Sequence, residues 1–379
     1  MQNANAECHC TMHDVGSGVQ VRAVDDARRG LQEGMAARVF PAAVVDVGAS
    51  AGSLWHEAFG SLTFGPDAPP TEETTPFDLA SLTKVIVTTT VIMDLVAAGA
   101  IRLDSPIADL LSEWRGGDRE SVTVRDLLEH ASGLPARLLE PPPSSPREFV
   151  HDICGMPLEY APRTRSIYSD LGFILLGIVA SERNGRPLAS QFAAIRDRLA
   201  REEPSLARET LRFGLRGSEK MRAAPTMPMD EDARRGRTLT GDVHDNYAAA
   251  LGALAGHAGL FGSAAGVAAF ARLVLRAARG DDRIPEPMSP LRVANVLAKT
   301  TVAGSSRALG WDTMLPTSSC GTHMSPAAVG HVGFTGTSIW IDPTRDRYFV
   351  LLTNRSYRGG TLEQMRMARR AFHDALAEL

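Results

Sequence analysis

Across residues 21–37 the apolar positions Val24, Ala27, Leu31 and Met35 fall near helical spacing, with Arg and Asp on the other face, which predicts an amphipathic helix. Residues 41–47 (PAAVVDV) and 54–59 (LWHEAF) are short apolar runs separated by Gly48-Ala49-Ser50-Ala51-Gly52, so an antiparallel hairpin with a glycine turn is expected. A Pro- and Thr-rich loop, residues 65–76, leads to Asp78-Leu79-Ala80-Ser81-Leu82-Thr83-Lys84, which opens a long apolar helix running to about Ala98. From about residue 101 to residue 290 the pattern is predominantly helical, with long loops at 141–146 and 218–237 and no strand ladder in most of the region. After Leu309-Gly310-Trp311, residues 331–341 and 347–353 read as two strands joined by the turn 342–346, and residues 362–379 as a closing helix. Strand-bearing ends thus flank a helical middle. The expected architecture is α/β: a tail over 1–18, a mostly antiparallel sheet flanked by helices built from 19–100 and 300–379, and an inserted, mainly helical domain over 101–299.

Length and composition narrow the function. The 379 residues, 44% hydrophobic and 22% charged, suit a folded chain with a large core. Forty Lys and Arg against 44 Asp and Glu give a net charge of -4, so no basic footprint for nucleic acid is present. The four cysteines are too few and scattered for a disulfide framework. Residues 1–18 lack the basic and apolar regions of a secretory signal, so a cytoplasmic location is expected. Residues 246–271 carry no Lys or Arg and no Asp or Glu, but they are rich in Ala and Gly, which gain little on transfer to lipid. Buried core rather than a membrane span is expected there.

Three clusters could carry chemistry. Ser81-Leu82-Thr83-Lys84 is S-x-x-K at a helix start, where i, i+3 spacing sets hydroxyl and ammonium one turn apart on one face. A lysine desolvated in a cleft can take the proton that a serine must lose to become a nucleophile. The bland alternative is an exposed lysine on a helix. In Tyr168-Ser169-Asp170, before an apolar helix, the phenol can shuttle protons, or Tyr168 can simply pack while Ser169 or Asp170 caps the helix. In His331-Val332-Gly333-Phe334-Thr335-Gly336, glycines on a strand let a ligand approach and leave a backbone N–H for an oxyanion, or mark a β-bulge.

In this order, S-x-x-K, Y-S-D and H-x-G resemble the serine β-lactamase-like superfamily, which includes AmpC-type β-lactamases, D-alanyl-D-alanine carboxypeptidases and related esterases. Residues 122–135 (VTVRDLLEHASGLP), 256–261 (GHAGLF), 309–311 (LGW) and 352–355 (LTNR) are similar to the same family, so the resemblance runs from about residue 21 to the C-terminus. It implies that Ser81 is acylated, that Lys84 accepts its proton and that Tyr168 assists proton transfer. Asp170, His331, Gly333 and Phe334 would then meet the substrate, with the Ser81 N–H and one near Phe334 forming the oxyanion hole.

This chain departs from the family pattern in three ways. His331 stands where β-lactamases and carboxypeptidases usually hold Lys, removing a permanent cation for a substrate carboxylate. Asp170 stands where many members have Asn, and no export signal is seen. Together these favour an esterase, amidase or acyl-transfer role over a true β-lactamase.

Other motifs compete. Gly48-Ala49-Ser50-Ala51-Gly52 fits the G-x-S-x-G elbow, making Ser50 the runner-up nucleophile, but a strand rather than a helix is predicted after it. Cys8, His9, Cys10 and His13 have metal-ligand chemistry without a second pair nearby, so no metal site is expected. His130 and His257 are expected to be structural, and Asp242 to Asn246 either lines the cleft or turns the chain.

The sequence reading is therefore a serine hydrolase acting on a small ester or amide through an acyl-enzyme on Ser81, without cofactor, nucleic acid or membrane span. Its alternatives are an acyltransferase using the same intermediate and a non-catalytic penicillin- or peptide-binding module. Activity is expected to rise from acid to neutral pH as Lys84 deprotonates, with a second titration from His331 near neutrality.

Overall fold

The computed structural model describes residues 13–137 and 141–379. The helix predicted over 21–37 spans His13–Ala36, and the hairpin forms from β1 (Ala42–Ala49) and β2 (Gly52–Gly60). Alternation along β1 decides its packing: Ala43, Val45 and Val47 face one layer while Ala42 and Val44 face the other. A short β3 (Phe77–Asp78) pairs with β5 (Leu260–Gly262), which pairs with β4 (Leu211–Phe213). Two of the strands of this small sheet, β4 and β5, lie in the region read as mostly free of strand ladders. Its strands are two or three residues long, too short for a period-2 pattern to register.

The main sheet is completed by β6 (Asp312–Thr313), β7 (Val329–Val332), β8 (Ser338–Asp342) and β9 (Arg347–Thr353), in the order β2-β1-β9-β8-β7-β6 with every pairing antiparallel. The run 331–341, expected as one strand, is in fact the end of β7, a turn and β8. Gly333 N–H donates to the Thr337 carbonyl at 2.7 Å, and Gly336 sits at φ 114°, where other residues are strained. Thr335 and Thr337 are strand formers and hid the break from the sequence reading.

Helix His13–Ala36 and helix Leu362–Ala375 pack together on one face, where Leu31, Trp55, Phe349 and Phe372 join one core. Helix Ala264–Ala278 covers the other face against β1, β8 and β9 although it lies within 101–299. It continues the Gly- and Ala-rich stretch, which is mainly buried, as expected from its composition. No helix among the described residues is long and apolar enough to cross a membrane.

Those glycines allow a close approach that matters for the site. A Cβ on Gly256 would stand 2.1 Å from the Phe173 carbonyl oxygen, and one on Gly177 would stand 2.9 Å from Gly256 Cα. Helix Asp170–Asn184 therefore touches the backbone beside His257 directly. Gly256→Ala is expected to destabilise the protein by about 1–3 kcal/mol and to slow turnover by displacing the His257 carbonyl. Urea unfolding with kinetics on the same samples checks this; an unchanged midpoint would show that the contact is dispensable.

Candidate active site

Four elements converge on Ser81. The chain leaves β3 and turns sharply at Ala80, a non-glycine residue at φ 46°, with the Ala80 N–H donating to Asp78 Oδ1 at 2.8 Å. Asp78 also accepts from the His244 N–H at 2.6 Å, tying the Ser81 turn to the opposite cleft wall. Burial pushes the Asp78 carboxyl up to about 6. The sequence reading gave Asp78 no role, since a single aspartate before a helix looks like a cap.

After Ser81 the expected helix begins with a π-helical turn, Lys84–Thr88, before continuing as Thr89–Ala97. Lys84 is wholly buried. Its Nζ donates to Ser81 Oγ at 3.0 Å, to Asp170 Oδ1 at 2.8 Å and to the His257 carbonyl at 3.0 Å. The Tyr168 hydroxyl donates to the same Ser81 oxygen at 2.7 Å. Ser81, Lys84, Tyr168 and Asp170, up to 89 residues apart in sequence, thus form one hydrogen-bonded group.

Electrostatics sets the resting protonation. Burial opposes the Lys84 charge, but the Asp170 carboxylate and the Tyr168 phenol outweigh it, holding the ammonium above its ordinary value. Burial opposes the Asp170 charge too, yet Lys84 leads the groups that bring this carboxyl below the usual range. Arg137 Nη1 adds a bond to Asp170 Oδ2 at 2.9 Å and another to Asp245 at 3.1 Å. Burial, then the Asp170 charge, raises the Tyr168 phenol, against the pull of Lys84. A lysinium–carboxylate pair beside a neutral phenol is the result. The neutral amine in an apolar cleft, pictured from sequence, is not the resting form, because a buried anion lies against it.

His331 also departs from expectation. Its Nδ1 lies 3.0 Å from the Val332 carbonyl, and burial, reinforced by Lys84 and Arg307, holds the ring well below its ordinary value. It is neutral at pH 7 and has no titration near neutrality. His130 accepts the Ser169 N–H on Nδ1 at 3.1 Å and stacks 4.7 Å from the Tyr168 ring, so it supports the phenol from behind. His257 places its Nε2 2.7 Å from Asp245. His130 and His257, expected to be structural, both act here through contacts behind the reacting groups; Arg137 and Arg307 are site residues that the sequence did not single out, since no local spacing links them to Ser81.

Gly333 and Phe334 lie beside the cleft. Among the described residues neither the Ser81 N–H nor the Phe334 N–H has a hydrogen-bond partner. The Phe334 carbonyl is meanwhile held by Arg355 at 2.6 and 3.1 Å. Ser50 lies elsewhere, at the β1–β2 turn, donating to Asp346 at 3.0 Å. Cys8, His9 and Cys10 lie outside the described residues.

The model of the Beta-lactamase family matches residues 27–373. The chain belongs to the Beta-lactamase family. It is 29% identical over 313 residues to an N-acetylmuramyl-L-alanine amidase of Bacillus subtilis (strain 168), a match covering 75% of this chain and 68% of that protein. It is 28% identical over 321 residues to a putative D-alanyl-D-alanine carboxypeptidase of Escherichia coli (strain K12), covering 75% and 70%. EstCE1, described as a hydrolase with promiscuous acyltransferase activity, superposes with a TM-score of 0.73 at 19% identity over 94% of this chain and 99% of that one. A class C β-lactamase from Rhodobacter sphaeroides gives 0.70 at 19% identity, over 92% and 98%. At those identities the structures establish the shared fold. This Beta-lactamase-family chain is an enzyme of the serine-hydrolase type, with the antiparallel sheet and flanking helices expected from sequence.

Proposed function

We propose that the enzyme cleaves a small ester or amide through an acyl-enzyme on Ser81. The observation that carries this reading is the double contact on one oxygen: Ser81 Oγ lies 3.0 Å from Lys84 Nζ and 2.7 Å from the Tyr168 hydroxyl. Lys84, once neutral, accepts the Ser81 proton, and Oγ attacks the substrate carbonyl. The unpartnered N–H groups of Ser81 and Phe334 stabilise the resulting oxyanion. Tyr168 passes its proton to the departing oxygen or nitrogen and regains one from the Lys84 ammonium. Water then attacks the acyl group, its proton returning through the same pair; an alcohol or amine in its place gives acyl transfer. The relatives, by name an amidase and a putative carboxypeptidase, support acyl chemistry on an amide, and EstCE1, a hydrolase with promiscuous acyltransferase activity, is in keeping with hydrolysis and acyl transfer at one site.

The test is intact-protein mass after brief exposure to a short p-nitrophenyl ester and, separately, to a β-lactam, for wild type and Ser81→Ala. An adduct lost in the variant is expected, and the reagent that forms and releases it faster selects between ester and lactam chemistry. An adduct that persists in Ser81→Ala would refute the assignment.

A further inference from the structure

The turn between β7 and β8 is gripped by two buried arginines. Arg355 donates Nε and Nη2 to the Phe334 carbonyl at 3.1 and 2.6 Å, and Nη1 to the Gly360 carbonyl at 3.1 Å. Arg369, from helix Leu362–Ala375, donates Nη2 to two carbonyls, Gly333 at 3.0 Å and Thr337 at 2.9 Å. The Gly333 carbonyl also accepts the Gly336 N–H at 3.1 Å. Burial opposes the charge of both guanidinium groups, and no described carboxylate offsets it. A buried cation without an anion is costly, so its placement calls for a reason.

Peptide connectivity supplies one. The Gly333 carbonyl and the Phe334 N–H are two ends of the same planar amide. A cation hydrogen-bonded to that oxygen polarises the amide and makes the N–H at its other end a stronger donor. Among the described residues this N–H has no hydrogen-bond partner, and in the reading above it binds the oxyanion. Arg355 holds the following amide, whose N–H belongs to Thr335, so it steadies the turn without polarising the Phe334 N–H. The turn is tied to the chain entering Ser81. Thr335 Oγ1 donates to the Asp78 carbonyl at 2.7 Å, and Thr337 Oγ1 to the Leu79 carbonyl at 3.1 Å. A Cβ on Gly333 would stand 2.7 Å from the Leu79 carbonyl oxygen, so only glycine allows this approach. Arg369 lines the cavity that also reaches Ser81 and Arg307, which brings its charge near the reacting carbonyl.

We propose that Arg369 is a positioning residue of the oxyanion hole: through the Gly333 carbonyl it orients and polarises the Phe334 N–H. It needs no contact with substrate. Its charge has no partner in the resting enzyme and gains one when the oxyanion forms, so it favours the tetrahedral state over the ground state. The proposal rests on the Ser81 reading and deepens it.

Phenylboronic acid and acetophenone, as competitive inhibitors of p-nitrophenyl acetate turnover, test it. Ser81 Oγ adds to boron and its proton leaves to solvent, so the adduct is a tetrahedral anion, whereas acetophenone is planar, neutral and similar in shape. In Arg369→Met, kcat/KM and phenylboronic acid affinity are both expected to fall by about tenfold or more, with acetophenone affinity changed by less than about twofold. Arg369→Lys, which restores a cation, should recover part of the loss. Arg369→Gln, which keeps an N–H donor without the charge, should show the loss and serves if Arg369→Met does not fold. Arg355→Met should weaken both inhibitors by a similar factor. The ratio of the two affinities within one variant is insensitive to a general loss of folded protein. A wild-type ratio retained in Arg369→Met or Arg369→Gln, or the same change of ratio in Arg355→Met, overturns the role of Arg369 and leaves the Ser81 reading standing. A wild type that neither turns over the ester nor binds phenylboronic acid would instead sink the Ser81 reading, and this inference with it.

Discussion

Ser81→Ala is expected to lower kcat/KM toward a short p-nitrophenyl ester by about 10³-fold or more, with little change in stability. The kinetic loss follows from chemistry: among the described residues no other hydroxyl receives both the Lys84 ammonium and the Tyr168 phenol. The small effect on folding follows from the neighbours. Without Oγ, Lys84 keeps its bonds to Asp170 and the His257 carbonyl, and Tyr168 lines two open cavities where water can replace the lost partner. Steady-state rates with thermal melts on the same preparations check both halves. A variant that melts like wild type yet keeps a tenth of its activity would show that another group is acylated.

The second large effect concerns pH. An ammonium stabilised by Asp170 is the wrong form to accept a proton, so the reactive fraction grows as pH rises toward the Lys84 value, which lies above the ordinary 10.5. Log kcat/KM should therefore climb with a slope of about one through neutrality and show no plateau below pH 10. His331 adds no inflection, being neutral throughout that range. In Asp170→Asn the attraction disappears while burial still disfavours the charge, so the Lys84 value falls and the plateau moves to lower pH. The rate at pH 7 is then expected to rise by about tenfold or more. A wild-type plateau reached by pH 8 with acylation rate-limiting, or an Asp170→Asn profile that does not move, would show that Asp170 does not control the base.

The same ion pair illustrates where sequence reading stops. Ser81 and Lys84 are one helical turn apart, so their meeting follows from local geometry and was legible. The hairpin of β1 and β2 and the terminal helices were legible too, because period 2 and period 3.6 are written directly into apolar spacing. The turn within 331–341 was not, because its threonines are as compatible with a strand as with a bend. The state of Lys84 was not legible either. It depends on Asp170, 86 residues away, and on the Arg137 contact that keeps that carboxylate in place.

By itself, then, the amino-acid sequence determined the element pattern, the α/β class and the one-turn spacing of Ser81 and Lys84, since each rests on neighbours within a turn or a strand, whereas Tyr168 was picked out by its resemblance to the family motif. The tertiary structure alone decided their charge states, the neutrality of His331 and the placement of Arg307 and Arg369 around a common cavity. Burial and Coulomb interaction act through space, and their strength depends on distances that only the folded chain creates.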